Sequence, residues 1–167
     1  MELDELRINK SVCFWERKMM NNYEISEVKV LNTEHLSDLL WESTSEGFRH
    51  IQRFVHEYNT GINVFNLEGE ALFECRMHHR IIGICGLNQD PNIGEGTGRV
   101  RRLYILPEFR RYGVGREMIN AVIKRAGQSF EKLVLYTDNP VASRFYVTLG
   151  FEEVKNDDKV THCLVLK

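Results

Sequence analysis

A strand-to-turn-to-helix segment at residues 100–116 constrains the fold of this chain more than any other stretch. An apolar, strand-like run stops at Pro107, and a helical pattern begins after Gly113 and Gly115. No Ser, Thr, Asp or Asn precedes that helix to cap its first turn, so its N–H groups stay free at the positive end of the helix dipole. Free N–H groups at a helix start suit a phosphate, and the segment therefore predicts a site for a phosphorylated ligand.

The residues of this turn favour a phosphate and exclude two common nucleotide motifs. Glycine has no side chain to hold a pyrophosphate away from the backbone, and Arg110, Arg111 and Arg116 add positive charge. The fingerprint G-x-G-x-x-G is broken because Met118 stands at its third glycine, and the Gly-Lys-Ser/Thr ending of a P-loop is missing. A nicotinamide enzyme or a nucleoside triphosphatase is thus disfavoured. A plain strand-to-helix turn without a ligand is the alternative.

Two motifs together resemble the cofactor motifs of one enzyme family. The first is Arg110-x-x-Gly113-x-Gly115, and the second, further along the chain, is Asn139-x-x-Ala142-x-x-Phe145-Tyr146-x-x-x-Gly150-Phe151. In this order and spacing they are similar to the acetyl-CoA signature and the second cofactor motif of the GNAT N-acetyltransferases. The resemblance implies a GNAT domain over residues 23–167, preceded by an N-terminal extension of residues 1–22.

Composition is that of one soluble domain. The chain has 167 residues, of which 43% are hydrophobic and 28% charged, enough to bury a core. A formal net charge of -2 argues against nucleic acid or an anionic membrane as the main partner. No apolar run reaches the roughly 18 residues of a membrane span, and the acidic N-terminus is unlike a secretion signal. Four cysteines without a C-x-x-C pair are typical of free thiols, so we expect a cytoplasmic protein.

Hydrophobic periodicity predicts the element order βααβββαβαββ. The predicted strands lie near residues 23–30, 71–77, 80–87, 100–106, 133–137, 151–154 and 160–166, and the first two helices begin at Asn32 or Thr33 and at Phe48. His78 and His79 fall in a turn, where we expect solvated side chains rather than metal ligands. The order is that of the GNAT family. It implies an α/β fold of the acyl-CoA N-acyltransferase type, with about seven mostly antiparallel strands, helices on both faces, and strands four and five splayed around the cofactor.

The resemblance also implies acetyl-CoA as the cofactor and assigns residues to it. Backbone groups of the signature strand are expected to pair with the pantetheine arm, and one of their N–H groups to polarise the thioester carbonyl. The pyrophosphate is expected on the N–H groups of the glycine turn, whereas the Arg110 and Arg111 side chains either reach phosphate oxygens or are solvated. The implied set is Leu103, Tyr104, Ile105, Arg110, Arg111, Tyr112, Gly113, Val114, Gly115, Arg116, Asn139, Ala142 and Tyr146.

Tyr146 is the candidate general acid. Acetyl transfer expels a thiolate, and a phenol is a suitable proton donor to that sulfur. Helical spacing places Tyr146 on the inward side of its helix, so a purely structural role in the core is the alternative. Asn139 is expected both to cap this helix and to contact the cofactor.

The sequence does not identify the general base. Several histone-modifying relatives have a Glu at the position where this chain has Arg99, which puts their arrangement in doubt here. Glu42, Glu46, Asp90 and a water chain remain open alternatives.

Arginines predict the class of acceptor. Arg49 and Arg53 are four residues apart on one predicted helix, where a solvated face is the alternative, and Arg99, Arg101 and Arg102 lie on the signature strand. This content favours a small-molecule amine that also carries a carboxylate or phosphate, such as an amino acid, over a basic histone tail.

Two other functions and one assembly stay open at this stage. The same motifs would serve a non-catalytic acyl-CoA-binding sensor or docking module, and an enzyme acting on a protein N-terminus or lysine is a further alternative. The family resemblance also allows a homodimer, to which the segment around Trp15 would contribute.

Overall fold

The computed structural model describes residues 22–166, and a seven-stranded sheet lies at its centre. Residues 1–21, with Cys13 and Trp15, lie outside the described residues, so the predictions made for them stay predictions. The strands are β1 (Tyr23–Glu27), β2 (Ala71–Met77), β3 (Arg80–Gln89), β4 (Thr97–Ile105), β5 (Lys132–Leu135), β6 (Glu152–Glu153) and β7 (His162–Val165). Their order in the sheet is β1-β2-β3-β4-β5-β7-β6, and every pair is antiparallel except β4 with β5.

Four helices pack around the sheet among the described residues, and asparagine side chains cap two of the helical segments. They are α1 (Ser37–Ser45), α2 (His50–Asn59), α3 (Val114–Ala126) and α4 (Pro140–Val147). Asn32 caps the short 3-10 turn that leads into α1, and Asn139 caps α4 by accepting a hydrogen bond from the backbone N–H of Val141 at 2.8 Å. The predicted order βααβββαβαββ and the predicted fold class are thereby confirmed. No helix among the described residues is long and apolar enough to cross a membrane.

Two glycines of β3 show how the helices divide between the faces of the sheet. A Cβ at Gly83 would meet the side chain of Met118 from α3, and a Cβ at Gly86 would overlap the ring of Phe65, which follows α2. Residues three apart on a strand point to opposite faces. Helix α3 therefore covers one face, and α1 and α2 the other, with the core between them and the sheet.

The parallel pair β4 and β5 separates after only three residues. The two strands pair from Thr97 to Arg99, and β4 then continues to Ile105 without a partner on that side. A β-bulge lies in the same stretch, because Cys85 of β3 stands opposite two residues of β4, one of which, Arg102, has a φ of 61°. The bulge increases the local twist, and the predicted splay of strands four and five is confirmed.

Several predicted element ends were wrong. Strand β1 ends at Glu27 and not at Val30, whose side chain is 87% exposed beyond the end of β2. Helix α2 begins at His50 and not at Phe48, β5 ends at Leu135, and β6 has only two residues. Helix α2 buries Ile51 and Phe54, whereas Val55 and Tyr58 on the same helix are only partly buried.

The described cysteines are free thiols, as predicted. Cys75 and Cys85 are buried and Cys163 is partly buried. Burial, helped by the charges of Glu117 and Glu74, raises the pKa of Cys75 to about 12. Such a thiol stays protonated and acts as a small apolar core residue.

Candidate cofactor and acceptor site

The glycine turn before α3 presents a row of unused backbone donors. Gly113 has a φ of 92°, Arg111 a φ of 68°, and no side chain caps the helix. Within residues 22–166, none of the six N–H groups from Arg111 to Arg116 donates a hydrogen bond, and the ladder starts with Glu117 donating to the Gly113 carbonyl at 3.0 Å. A left-handed turn followed by a helix start concentrates N–H dipoles on one point, which fits an anion.

Space at this turn also fits a pyrophosphate. A Cβ built at Gly113 would meet no heavy atom of residues 22–166 within 4 Å, so these residues leave the backbone open on that side. Around it, Tyr112 is exposed, Val114 is buried, and the Arg116 guanidinium lies 3.4 Å from the Thr148 hydroxyl. The Cβ position of Gly115 lies 3.5 Å from the ring of Phe145, so the turn is packed directly against α4.

The free stretch of β4 lies next to this turn. Tyr104 and Ile105 are buried and pair on one side with Ile84 and Gly83 of β3, while the side facing β5 has no strand partner. An extended ligand can bind to such an edge as an added strand. The Ile105 carbonyl already accepts a hydrogen bond from Arg110 Nε at 2.8 Å, so this group is in use within the protein.

Tyr146 lies between this splay and the core. Its ring is 7% exposed and packs edge-on against Phe145 and Phe151. Its hydroxyl makes no hydrogen bond to any described residue. Burial, and then the charge of the Cys85 thiolate form, raise the pKa of the Tyr146 phenol, so the group stays protonated. Since Cys85 stands opposite the β4 bulge, the phenol lies close to the point where β4 and β5 separate.

Helix α4 begins at a small cleft of about 200 Å³. The Asn139 side chain lines it and uses its carbonyl oxygen for the cap, and Ala142 is partly buried against the core. Sequence reasoning did not find the neighbouring contact between Ser143 and His162, whose Oγ and Nε2 are 3.0 Å apart, because the two residues come from distant parts of the chain.

Arg110 has a role that the sequence did not suggest. Its guanidinium donates two hydrogen bonds to the Glu46 carboxylate, at 2.6 and 2.7 Å, and lies 5.2 Å from the centre of the Tyr104 ring. The Tyr104 hydroxyl donates a third hydrogen bond to Glu46 at 2.6 Å. Hydrogen bonding from Arg110 holds the pKa of Glu46 below its usual range, which makes this carboxylate a weak base.

The face of the sheet opposite α3 carries the charged groups. Asn88 is hydrogen-bonded to Asn63, in the loop after α2, and it stands opposite Arg99 in the sheet register, so Arg99 lies on the α2 side. By the same register Arg101, opposite Gly86, lies on that side too. Arg99 pairs with Asp90, and Arg102 donates to Glu57 of α2 at 2.8 Å.

Some of the other candidate residues of this face are held in contacts within the protein, and others are exposed to solvent. The Asp90 carboxylate is buried in its ion pair, and Glu42 is partly buried. Arg53 is exposed on α2 and Arg49 is exposed at the position just before that helix, and neither forms an ion pair within the described residues. His50, which sequence reasoning missed, packs its ring 5.7 Å from that of Tyr104. Burial, and then the charge of Arg102, lower the pKa of His50.

A turn of free N–H donors beside a splayed parallel strand pair is the arrangement that the two cofactor motifs imply, and comparison with known proteins agrees. The model of the acetyltransferase (GNAT) family matches residues 33–151. This chain belongs to the GNAT family. Acetyl-CoA, the expected cofactor, is the cofactor of GNAT enzymes.

Individual relatives support the same family. An uncharacterised N-acetyltransferase of Methanocaldococcus jannaschii is 30% identical over 90 residues, a match that covers 50% of this chain and only 40% of that relative. A provisionally assigned acetyltransferase of Exiguobacterium sp. 255-15 is 29% identical, with a TM-score of 0.76 over 86% of this chain and 93% of that one. The yncA protein of Salmonella typhimurium, solved with acetyl-CoA, is 13% identical and shares the fold, with a TM-score of 0.62 over 87% and 95% of the two chains.

Proposed function

We propose that this GNAT protein transfers an acetyl group from acetyl-CoA to the primary amine of a small molecule, with Tyr146 as the general acid. One observation carries the proposal. The unused N–H groups of Arg111 to Arg116, the free edge of β4 and the Tyr146 phenol converge on the same splay. A domain that only needed to fold would gain by capping the helix and pairing the strand.

The chain's backbone is suited to hold the cofactor, which when bound supplies an activated thioester carbonyl. The N–H groups from Arg111 to Arg116 bind its pyrophosphate, as helix starts bind anions generally. Backbone groups of Leu103, Tyr104 and Ile105 bind the pantetheine arm along the free edge of β4. An N–H of this stretch stabilises negative charge on the carbonyl oxygen, because a fixed donor in a dry site needs no reorganisation.

The amine nitrogen forms its bond to the carbonyl carbon as the carbon–sulfur bond breaks, and Tyr146 gives its phenol proton to the leaving sulfur. The proton that the amine loses passes to solvent water, from which the Tyr146 phenolate regains a proton. A free phenol is a weaker acid than a free thiol, by roughly 1.5 pKa units. Desolvation raises the pKa of the Tyr146 phenol and of the Cys85 thiol in the same surroundings, so the phenol stays the weaker acid of the two. A desolvated thiolate is a stronger base than one in water, and a phenol that stays protonated beside it can neutralise the charge that develops on the sulfur as the bond breaks.

The charge of the α2 side favours a small anionic amine as acceptor. Arginines of β4 face the splay from that side, and a guanidinium there attracts an anionic metabolite and repels a lysine-rich tail. An amino acid or a related metabolite fits this pattern.

Removing the Tyr146 hydroxyl tests the proposal. Tyr146→Phe should bind acetyl-CoA within about threefold of wild type and lower turnover by about 10²-fold or more, the usual contribution of a general acid. Tyr58→Phe is the control, because it removes a hydroxyl that accepts only from the Leu31 N–H, away from the splay. Affinity by calorimetry and thiol release give the two quantities.

Two outcomes would contradict parts of this proposal. Unchanged turnover in Tyr146→Phe would leave this tyrosine with its core role only. Acetyl-CoA binding without thiol release for any amine would favour the non-catalytic acyl-CoA-binding module.

A further inference from the structure

An open cleft of about 410 Å³ lies on the α2 side of the sheet, beside the place where β4 and β5 part. Its lining includes Arg99 and Arg101 of β4, Tyr136, which directly follows β5, and Asp158 and Lys159 from the loop between β6 and β7. Pairing of the two parallel strands ends at Arg99, so the cleft opens at the same gap that receives the thioester in the proposed function.

Arg99 forms a fixed wall of the cleft and is not free to bind a ligand strongly. Its guanidinium pairs with the buried carboxylate of Asp90 and donates to the Lys159 backbone carbonyl at 3.0 Å. Both contacts hold the guanidinium plane in place. Asp90 neutralises its charge, so this arginine closes one side of the cleft and ties the β6–β7 loop to β4.

Arg101 carries the guanidinium of this cleft that has no carboxylate partner among the described residues, and Lys159 is a second cation of the lining. Within residues 22–166 its guanidinium forms no ion pair and no hydrogen bond, whereas Arg99 and Arg102 each have a carboxylate partner. Its side chain lines the cleft and is accessible to solvent from the cleft's open side. Desolvation, and then the charges of Arg99 and Arg102, lower the pKa of Arg101. A bound anion would relieve that repulsion.

Tyr136 supplies an aromatic surface in the same cleft. Its side chain is 56% exposed at the end of β5. Asp158 and Lys159 carry opposite charges and leave the balance of the lining positive. An unpaired guanidinium near an accessible aromatic ring matches a ligand with one anionic group and a short apolar part.

We propose that Arg101 binds a carboxylate or phosphate of the acceptor, with Tyr136 covering the adjoining carbons, so that the amine to be acetylated must carry an anionic group. This inference rests on the proposed function, because it places the acceptor at the acetyl-transfer gap. Arg101 immediately precedes the bulged residue Arg102 on the strand that is to hold the thioester, so anion and amine are separated by a few carbons only. An amide in place of the anion offers the guanidinium a neutral and much weaker acceptor.

The first arm of the test measures acceptor preference by thiol release. The probes are L-amino acids, β-alanine and γ-aminobutyrate against their carboxamides, and O-phosphoethanolamine against ethanolamine. For the best acceptor, wild type should prefer the anionic probe over its neutral counterpart by about 100-fold in kcat/KM. Arg101→Gln should reduce that preference to about fivefold or less, mainly through KM, and Arg101→Lys should lie between, because it keeps charge without the planar fork.

The second arm needs no catalysis. Protein saturated with CoA cannot transfer acetyl, so the unfolding temperature reports binding of the probe alone. The anionic probes should raise it in wild type and in Lys124→Gln, the control that removes an exposed positive charge on α3 and outside the cleft, and not in Arg101→Gln. Whichever probe group is effective distinguishes a carboxylate from a phosphate ligand.

The possible failures are distinguishable. Equal effects of anionic and neutral probes, an unaltered preference in Arg101→Gln, or acetyl-CoA binding with no acetylated probe would each overturn the role of Arg101. Absence of any stabilisation by acetyl-CoA itself would instead refute the proposed function.

Discussion

The two faces of β4 differ in how their functional groups are assembled. On the α3 side the groups are backbone N–H donors from consecutive residues, and the turn from Arg111 to Arg116 forms by local geometry. On the α2 side the groups are side chains joined across long stretches of sequence, as when Arg110 meets Glu46 and Arg102 meets Glu57. A backbone site leaves a short motif in the sequence, whereas a side-chain site does not.

This difference has a consequence for what each side can vary. A pyrophosphate is the same in every acyl-CoA, and a site of backbone donors binds it independently of most side chains. The acceptor differs between enzymes of one fold, and side chains on the opposite face of the strand can change it without disturbing the turn. Substitutions on the α3 side should therefore change cofactor affinity, whereas substitutions on the α2 side should change stability or the choice of acceptor.

The largest effect on cofactor affinity is expected from a substitution at Gly113, on the α3 side. Gly113→Glu places a carboxylate among the N–H groups meant for the pyrophosphate and should weaken acetyl-CoA binding by about 1,000-fold, roughly 4 kcal/mol. A side chain at a φ of 92° is also strained, so Gly113→Asn is the matched control, because asparagine tolerates the left-handed region. Calorimetric titration with acetyl-CoA measures both. Undiminished affinity for acetyl-CoA in Gly113→Glu would contradict the proposal that this turn binds the pyrophosphate.

At Asp90, on the α2 side, a substitution is expected to lower stability and to leave cofactor affinity nearly unchanged. Asp90→Asn leaves the Arg99 charge buried without its partner and should lower the free energy of unfolding by about 3 kcal/mol. Affinity for acetyl-CoA should change little. Urea unfolding gives the stability, with Asp38→Asn as control, since its ion pair with Arg80 is exposed and contributes about 1 kcal/mol or less. Equal losses in the two variants would contradict a structural role for the buried pair.

The smallest effect concerns pH and His50. Because the folded protein lowers the pKa of this histidine, the unfolded chain takes up its proton first as the pH falls through about 6.5. The stability that neutral His50 contributes is thus present above that pH and is lost as the pH falls towards the lower folded value. Chemical unfolding at pH 7.5 and 5 should show a smaller decline for His50→Asn than for wild type. Parallel declines would show that His50 does not titrate differently on folding.

The sequence predicts the α3 side well and the α2 side poorly, for a physical reason. Asn139 as a cap, the uncapped turn at Gly113 and the order of the strands follow from local conformational preferences that adjacent residues carry. The Arg110 side chain was expected at phosphate or in solvent, and instead it binds Glu46, a residue 64 positions away. That contact depends on how α1 packs against β4, which no local pattern encodes.

Element ends show the same limit on a smaller scale. Apolar residues continue past the end of β1 to Val30, yet pairing with β2 ends opposite Phe73 and the chain bends at residues 29–30, although β2 extends to Ala71. The alternation of the sequence records which residues can form a strand. It does not record where the chain bends away from the sheet, which is where the strand ends.

The most direct test of the central claim is thermal unfolding of the protein with acetyl-CoA, with NAD and ATP as controls. A ligand at 100 times its dissociation constant stabilises the folded state by about 2.7 kcal/mol, which raises the unfolding temperature of a domain of this size by about 5 to 10 °C. We expect that shift with acetyl-CoA, abolished in Gly113→Glu, and no comparable shift with NAD or ATP. An unchanged unfolding temperature at millimolar acetyl-CoA would contradict the cofactor site at the splay of β4 and β5.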